Sequence, residues 1–331
     1  MKNILIFGAT GNVGSYLTLY AKDFFDKNEY NIIAVGRRET NFFKQYGIDY
    51  YSVDIAKSED FEKLPTDNIH AVMLLAATIP SYMSDYNPMK YMQSNAIGAL
   101  NVLEYCRKTN VDRIIYTQTV FDISLSVKDG EKIDPYTPRN FSYKGDHAVY
   151  VISKNSALEL IEHYHQEYGI KKFIFRFPTI YNYSPFHYYY PNGIKTKRPV
   201  YTMIENAMQS KPLEIWGNPK YSKDMVYVAD CSQMLCKAVL ANRTNGFYNV
   251  GTGIPVTIEE QVKTIVDVFS PKDKPSQIIY RPEKTVGGGF LMNVDNAIKE
   301  LGYEPKYNCK RLFEAYKEEM KLNRFKELLE K

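Results

Sequence analysis

The sequence predicts an α/β protein, a doubly wound parallel sheet with helices on both faces, followed by a smaller C-terminal α+β lobe. Three observations carry this. Apolar runs of strand length alternate with helix-period segments through the first half of the chain. The first run, Ile4-Leu5-Ile6-Phe7, opens directly into glycines spaced three apart at Gly8, Gly11 and Gly14. After Arg176-Phe177-Pro178 the rhythm loosens into a stretch rich in tyrosine and proline, 181–201, which reads as a long loop.

In order, strands are expected at 4–7, 31–35, 50–53, 71–75, 113–117 and 172–175, with helices near 12–26, 89–109 and 147–168. Six strands in this rhythm suit one doubly wound sheet. Beyond the loop, short strands at 213–216 and 246–250 and helices near 230–241, 257–269 and from 310 onward build the smaller lobe. The first domain is therefore expected over 1–178 and the substrate lobe over 179–331, with the chain returning to the first domain around 225–253.

The bulk properties narrow the function. Among 331 residues, 42 basic and 38 acidic side chains leave a net charge of +4, and no long basic run suits a phosphate backbone, so nucleic acid is excluded as a partner. The N-terminal apolar stretch is too short for a signal peptide and no uncharged run is long enough to span a bilayer. A cytoplasmic protein without a membrane partner is expected. The four cysteines, Cys106, Cys231, Cys236 and Cys309, form no zinc pattern and read as buried thiols, and no metal is expected.

The glycine turn follows a strand and opens a helix, the context in which this spacing binds a dinucleotide on a Rossmann-type fold. Gly8 allows the tight turn, Gly11 lets backbone amides approach a pyrophosphate, and Gly14 lets the helix pack on the strand. The helix start then meets the anion with unpaired N–H groups and its positive dipole end. Thr10, Asn12 and Val13 complete the cofactor turn.

The cofactor is NADP or NAD. A carboxylate at the end of the second strand would receive the ribose hydroxyls of NAD, whereas this strand ends in Gly36-Arg37-Arg38. A guanidinium suits a 2′-phosphate, so Arg37 favours NADP, with Glu39 as the carboxylate that would reverse the preference. Asp54-Ile55 follows the third strand, and the small pair Ala76-Ala77 after the fourth either lets the sheet's edge approach the cofactor closely or serves close packing.

Tyr150 and Lys154 lie four residues apart in a helical segment, which puts them on one face about 6 Å apart along the axis. An ammonium beside a phenol favours the phenolate and brings its proton exchange toward neutral pH. Tyr150 is thus a general acid–base for a carbinol or carbonyl oxygen, the proton partner of hydride transfer. Thr119 offers a hydroxyl at the end of the fifth strand, with Thr117 and Gln118 as competitors.

These residues resemble the extended short-chain dehydrogenase/reductases, the NAD-dependent epimerase/dehydratase family of nucleotide-sugar enzymes. Besides the glycine turn, the resemblance covers Asp54-Ile55, Leu75-Ala76-Ala77, Asn95 with Gly98, Tyr150-x-x-Ser153-Lys154 and Arg176-Phe177-Pro178. It continues through Lys223 to Asp230, Tyr248-Asn249-Val250-Gly251 and Leu301 to Pro305.

The resemblance implies a catalytic set of Thr119, Tyr150 and Lys154, with Lys154 also holding the nicotinamide ribose, and adds Asn95 and Pro178 to the cofactor contacts. It implies a second lobe that binds a nucleoside diphosphate sugar, with Arg281 toward the diphosphate and Thr119 toward the sugar. It also implies a homodimer through helices near 89–109 and 147–168. Lys195, Lys197 and Arg198 read as solvated surface, and Gly287-Gly288-Gly289 as a flexible turn. The aromatic run 186–190 either contacts substrate or packs between lobes.

Two departures bear on the reaction. Thr117-Gln118-Thr119 replaces the usual serine-rich strand end, which moves the hydroxyl role to Thr119. Val120-Phe121 follows it in place of the acid–base Asp-Glu pair of the sugar dehydratases, which disfavours dehydration. An epimerase or a keto-sugar reductase is expected. The alternative from another class is a non-catalytic NADP-sensing regulator, which would keep the glycine turn without needing Tyr150 and Lys154.

Overall fold

The computed structural model describes residues 1–128, 130–285 and 289–329. Its centre is a seven-stranded parallel sheet: β1 (Lys2–Phe7), β2 (Tyr30–Gly36), β3 (Asp49–Ser52), β4 (Ile69–Leu74), β5 (Arg113–Thr119), β6 (Lys171–Phe177) and β7 (Asn245–Asn249), in the order β7-β6-β5-β4-β1-β2-β3. Strands in such a sheet are buried on both faces, which explains apolar runs without alternation. Successive residues of β1 still serve opposite sides. Ile4 and Ile6 join one core with Tyr201, Val262 and Phe313 of the second lobe, while Leu5 and Phe7 join another with Val102, Leu103 and Ile161.

The helices around the sheet are α1 (Gly14–Phe24), α2 (Gly98–Lys108), α3 (Ala148–Tyr168) and α5 (Val228–Leu240). α4 (Pro199–Met208), α6 (Ile258–Phe269) and α7 (Cys309–Leu322) build the rest of the second lobe, where Leu213–Trp216 pairs in parallel with Ile278–Arg281. The strand order reverses direction between β1 and β4. In an open α/β sheet the crevice at the C-terminal ends of those strands is where ligands bind.

The strand expected at 246–250, in the stretch where the chain is expected to return to the first domain, is the seventh strand of the central sheet, pairing with β6 from Asn245↔Lys172 to Asn249↔Arg176. Three expectations change. The helix expected over 89–109 is broken into Pro88–Tyr91, a π-turn at Met92–Ile97, and α2. β5 runs on to Thr119, which pairs with Phe177 at the rim of the sheet. The stretch 181–201 is not all loop: Tyr188–Tyr189 pairs antiparallel with Thr196–Lys197, and α4 begins at Pro199, whose fixed φ suits a first helical turn. All four cysteines are buried and free, as expected. Among the described residues no helix is long and apolar enough to cross a membrane, and no cluster of His, Cys, Asp or Glu is placed to hold a metal.

Candidate active site

The glycine turn closes with Gly8 at φ +93°, its amide donating to Val35 of β2 at 2.8 Å. A Cβ on Gly8 would stand 2.7 Å from the Ala76 amide nitrogen, so the ends of β1 and β4 touch through backbone. One on Gly14 would overlap the Gly8 carbonyl, which is why α1 can start there only without a side chain. The amides of Asn12 and Val13 have no protein acceptor among the described residues. They are the donors a pyrophosphate needs. Asn12 and Asn182 exchange side-chain amide bonds at 3.1 and 3.0 Å, tying the turn to the chain entering the second lobe.

At the end of β2, Thr10 fills the space over Gly36, where a Cβ would come within 2.7 Å of its hydroxyl. Arg38 is engaged, donating to Leu328 O at 2.6 Å, whereas Arg37 is exposed and its guanidinium has no partner among the described residues. Asp54 turns inward and accepts from the Ala56 amide at 3.1 Å. Ile55 packs on Gly98, where a Cβ would leave only 2.7 Å to its side chain. Both amide ends of Asn95 are occupied by the protein: it receives the Thr78 amide at 2.7 Å and donates to Thr78 O and Ser153 Oγ, each at 3.0 Å. Asn95 thus braces the chain after β4 against α3, from a π-turn of the kind that often marks functional sites. Ala77 and Pro178 are half-buried just past β4 and β6.

Tyr150 and Lys154 share one face of α3, and the Tyr150 phenol lies beside the Thr119 side chain, which favours its ionised form. The competing positions are occupied elsewhere. Thr117 Oγ1 donates to Leu74 O at 3.4 Å, and Gln118 bonds Asn155 at 2.9 Å and receives the Thr119 amide at 2.9 Å. Thr119 Oγ1 accepts the Phe121 amide at 3.3 Å, capping the turn after β5, and keeps its proton for Tyr150. Lys154 extends over the Tyr116 ring, 4.1 Å from its centroid.

The expected electrostatics are corrected. Burial pushes the Tyr150 phenol up to about 12, opposed by the Thr119 hydrogen bond, and drives the Lys154 ammonium down to about 7. Desolvation outweighs the pairing that the spacing suggested, because both heads are enclosed by protein and Lys154 itself loses charge near neutral pH.

Further residues escaped the sequence reading. His147 stands three residues before Tyr150, its Nδ1 2.6 Å from Asp146 Oδ1, and its ring lies against Phe121 with centroids 4.4 Å apart. The i, i+3 spacing to Tyr150 was the signal that could have found it. A cavity of about 590 Å³ beside these groups is lined by Met83, Tyr86, Tyr91, Tyr143, Asp146 and Tyr190, and Tyr91 meets the Tyr150 ring at 6.1 Å. Buried Arg176 grips Asp122 with two bonds, 3.0 and 3.1 Å, and donates to Pro135 O at 2.7 Å, anchoring the segment after Thr119 to β6.

Other expected residues behave differently. Lys197 and Arg198 are not solvated surface: Lys197 pairs with Glu205, and Arg198 sits between the Tyr82 and Tyr189 rings at 5.6 and 5.5 Å. Exposed Lys195 lies on the Tyr188 ring at 4.6 Å. In the aromatic run, Phe186 packs on Tyr82 at 5.9 Å and His187 stacks on Tyr201 at 4.3 Å. Arg281 pairs with Glu214 at 3.1 Å, and no contact among the described residues joins it to Thr119, Tyr150 or Lys154. Gly287 and Gly288 of the expected flexible turn lie outside the described residues.

Comparison with known proteins agrees with this architecture. A sequence model of the "NAD dependent epimerase/dehydratase family" matches residues 4–251. The dTDP-glucose 4,6-dehydratase of Haemophilus influenzae is 26% identical over 339 residues, covering 92% of this chain and 94% of that protein. The solved UDP-glucose 4-epimerase of Thermotoga maritima, with UDP-glucose, superposes with a TM-score of 0.73 at 22% identity over 97% of this chain and 99% of that one. The UDP-glucuronic acid 4-epimerase of Bacillus cereus, with UDP-glucuronic acid and NAD, gives 0.71 at 19% identity over the same shares, 97% and 99%. The chain belongs to the NAD dependent epimerase/dehydratase family and is a nicotinamide-cofactor enzyme of the extended short-chain dehydrogenase/reductase type.

Proposed function

We propose that the protein is a nucleotide-sugar epimerase or keto-sugar reductase that prefers NADP, acting at a sugar carbinol or carbonyl carbon. The observation that carries this is the placement of Tyr150 beside the Thr119 side chain at the rim of the sheet, with Lys154 one helical turn along the same face. In this reading the substrate oxygen lies between the two hydroxyls. Tyr150 takes or returns its proton, Thr119 holds it by a hydrogen bond, and Lys154 anchors the cofactor ribose. The bound nicotinamide supplies the hydride chemistry. Burial of Tyr150 and Lys154 keeps water from competing for the reacting proton.

The finer assignments rest on individual residues. Exposed Arg37, without a partner among the described residues, and the lack of a carboxylate at the end of β2 favour NADP. Val120-Phe121 after Thr119 disfavours dehydration. We assign the sugar nucleotide to the lobe over 179–331, with Arg281 exchanging Glu214 for the diphosphate, and a homodimer to α2 and α3. Met89 and Ile97, just before α2 in the expected dimer segment 89–109, are exposed apolar side chains, 61% and 49% accessible. The relatives named above act on or bind UDP- and dTDP-hexoses, which supports the same substrate class here.

The test is to identify the cofactor carried by the purified protein, then assay UDP-, dTDP- and GDP-linked hexoses and keto-hexoses. The expected result is either consumption of NADPH with reduction of a keto sugar, or an epimer formed on retained cofactor. Hydride exchange with none of them contradicts the proposal.

A further inference from the structure

The face of α3 that carries Tyr150 and Lys154 begins with a third polar side chain. His147 precedes Tyr150 by three residues and Lys154 by seven, so all three share one stripe. Along the axis His147 lies about 4.5 Å from Tyr150, on the side away from Lys154. Where Lys154 marks the cofactor end of the stripe, His147 marks the substrate end.

The surroundings of the imidazole agree with that placement. It stands edge-on to the Tyr150 ring, centroids 6.3 Å apart, and against Phe121, two residues past Thr119. Phe121 in turn meets Phe290 of the second lobe at 6.4 Å. Two aromatic rings therefore border the imidazole, with Phe290 of the second lobe behind Phe121, and such faces suit the C–H faces of a pyranose. Asp146 Oδ1, 2.6 Å from Nδ1, accepts a hydrogen bond from Nδ1–H, the tautomer in which Nε2 is an acceptor. The other Asp146 oxygen accepts the Asn192 amide at 3.2 Å, so the carboxylate is itself held by the loop between Tyr188–Tyr189 and Thr196–Lys197. A ring fixed in one tautomer by a buttressed carboxylate is more than a helix start requires, since the side chain of His147 makes no capping bond to α3.

We propose that His147 is a sugar-recognition residue whose Nε2 accepts a hydrogen bond from a hydroxyl on a carbon next to the one Tyr150 serves, with Asp146 setting its tautomer. The proposal rests on the reading of this cleft as a nucleotide-sugar site. A hydroxyl is the fitting donor, because the Asp146 carboxylate beside the ring repels an anionic substituent.

The test is calorimetric binding to the protein with its cofactor, using UDP-, dTDP- and GDP-hexoses and the parent diphosphates. His147→Phe keeps the ring on Phe121 and removes the acceptor, while His147→Gln restores an acceptor near the Nε2 position. The expected result is affinity for the bound hexose nucleotide falling about fivefold to tenfold in His147→Phe, the value of one hydrogen bond, with partial recovery in His147→Gln and no change for the parent diphosphate. Unchanged sugar affinity, or equal losses for the sugar nucleotide and the diphosphate, overturns the proposal and leaves the nucleotide-sugar reading standing. Failure of the unaltered protein to bind any hexose nucleotide overturns that reading, and this proposal with it.

Discussion

Lys154 is a lysine with almost no access to water, 3% exposed, its ammonium resting on the Tyr116 ring. Burial depresses it from 10.5 to about 7, and the consequence for stability has a definite sign. Between pH 7 and 10.5 the unfolded chain binds the proton that the folded chain has released, so folding gains as pH rises through this window. The gain is complete above the unfolded value and lost once pH falls below the folded one. Urea unfolding of the cofactor-free protein should therefore show the unaltered chain gaining on Lys154→Met as pH rises from 7 to 10, with a slope approaching about 1.4 kcal/mol per pH unit. A pH-independent difference between the two proteins contradicts a neutral buried lysine.

At this scale the sequence was informative about pairs whose spacing is local. Tyr150 and Lys154 were readable because a helix converts four residues into one face. The roles of Arg198, Lys197 and His147 were not, because Tyr82, Glu205 and Phe121 reach them only through the fold. The same distance dependence explains the error in the Tyr150 electrostatics. Spacing reveals which charges are near, whereas desolvation depends on everything else packed around them.

Among the elements, the strand, turn and helix from Lys2 to Phe24 bear the cofactor assignment. The backbone there leaves no room: a methyl on Gly14 would collide with the Gly8 carbonyl, and either α1 or the turn must move. Because the donor amides belong to that turn, Gly14→Ala should weaken binding of the copurifying cofactor tenfold or more, about 1.4 kcal/mol. Fluorescence titration of the reduced cofactor measures this, and an unaltered affinity contradicts the placement of the pyrophosphate. The central strands were legible because two-sided burial writes them as plain apolar runs. The π-turn around Asn95 was not, since a helix with one extra residue in a turn keeps the composition of an ordinary one. The ladder of Tyr188–Tyr189 with Thr196–Lys197 is too short to leave a periodic pattern.

The whole molecule interleaves the two parts that the sequence suggests, 1–178 with a return around 225–253, and 179–331. β7 returns to the central sheet after α5, and one continuous core runs from Ile4 and Ile6 into the second lobe. The C-terminal turn closes back on the cofactor side, with Leu328 O receiving Arg38 and Phe325 packed on Tyr16 at 4.4 Å. The return of β7 falls in the stretch 225–253 where the sequence suggests it, whereas the closure of the C-terminal turn is settled by tertiary packing and carries no local signal. The result is a buried pair, Tyr150 and Lys154, on α3 beside the end of β5, with the proposed cofactor turn at the end of β1 and the proposed substrate lobe over 179–331.

The central claim is that Tyr150 moves the proton that accompanies hydride transfer at a nucleotide sugar. Tyr150→Phe should be compared with the unaltered protein by following the reduced cofactor at its nicotinamide absorbance, together with the sugar product, on the nucleotide sugar that the unaltered protein turns over. The account predicts cofactor binding within about twofold of the unaltered protein and a turnover number lower by about 10²- to 10⁴-fold, the usual contribution of a general acid–base group. Undiminished turnover in Tyr150→Phe would contradict it.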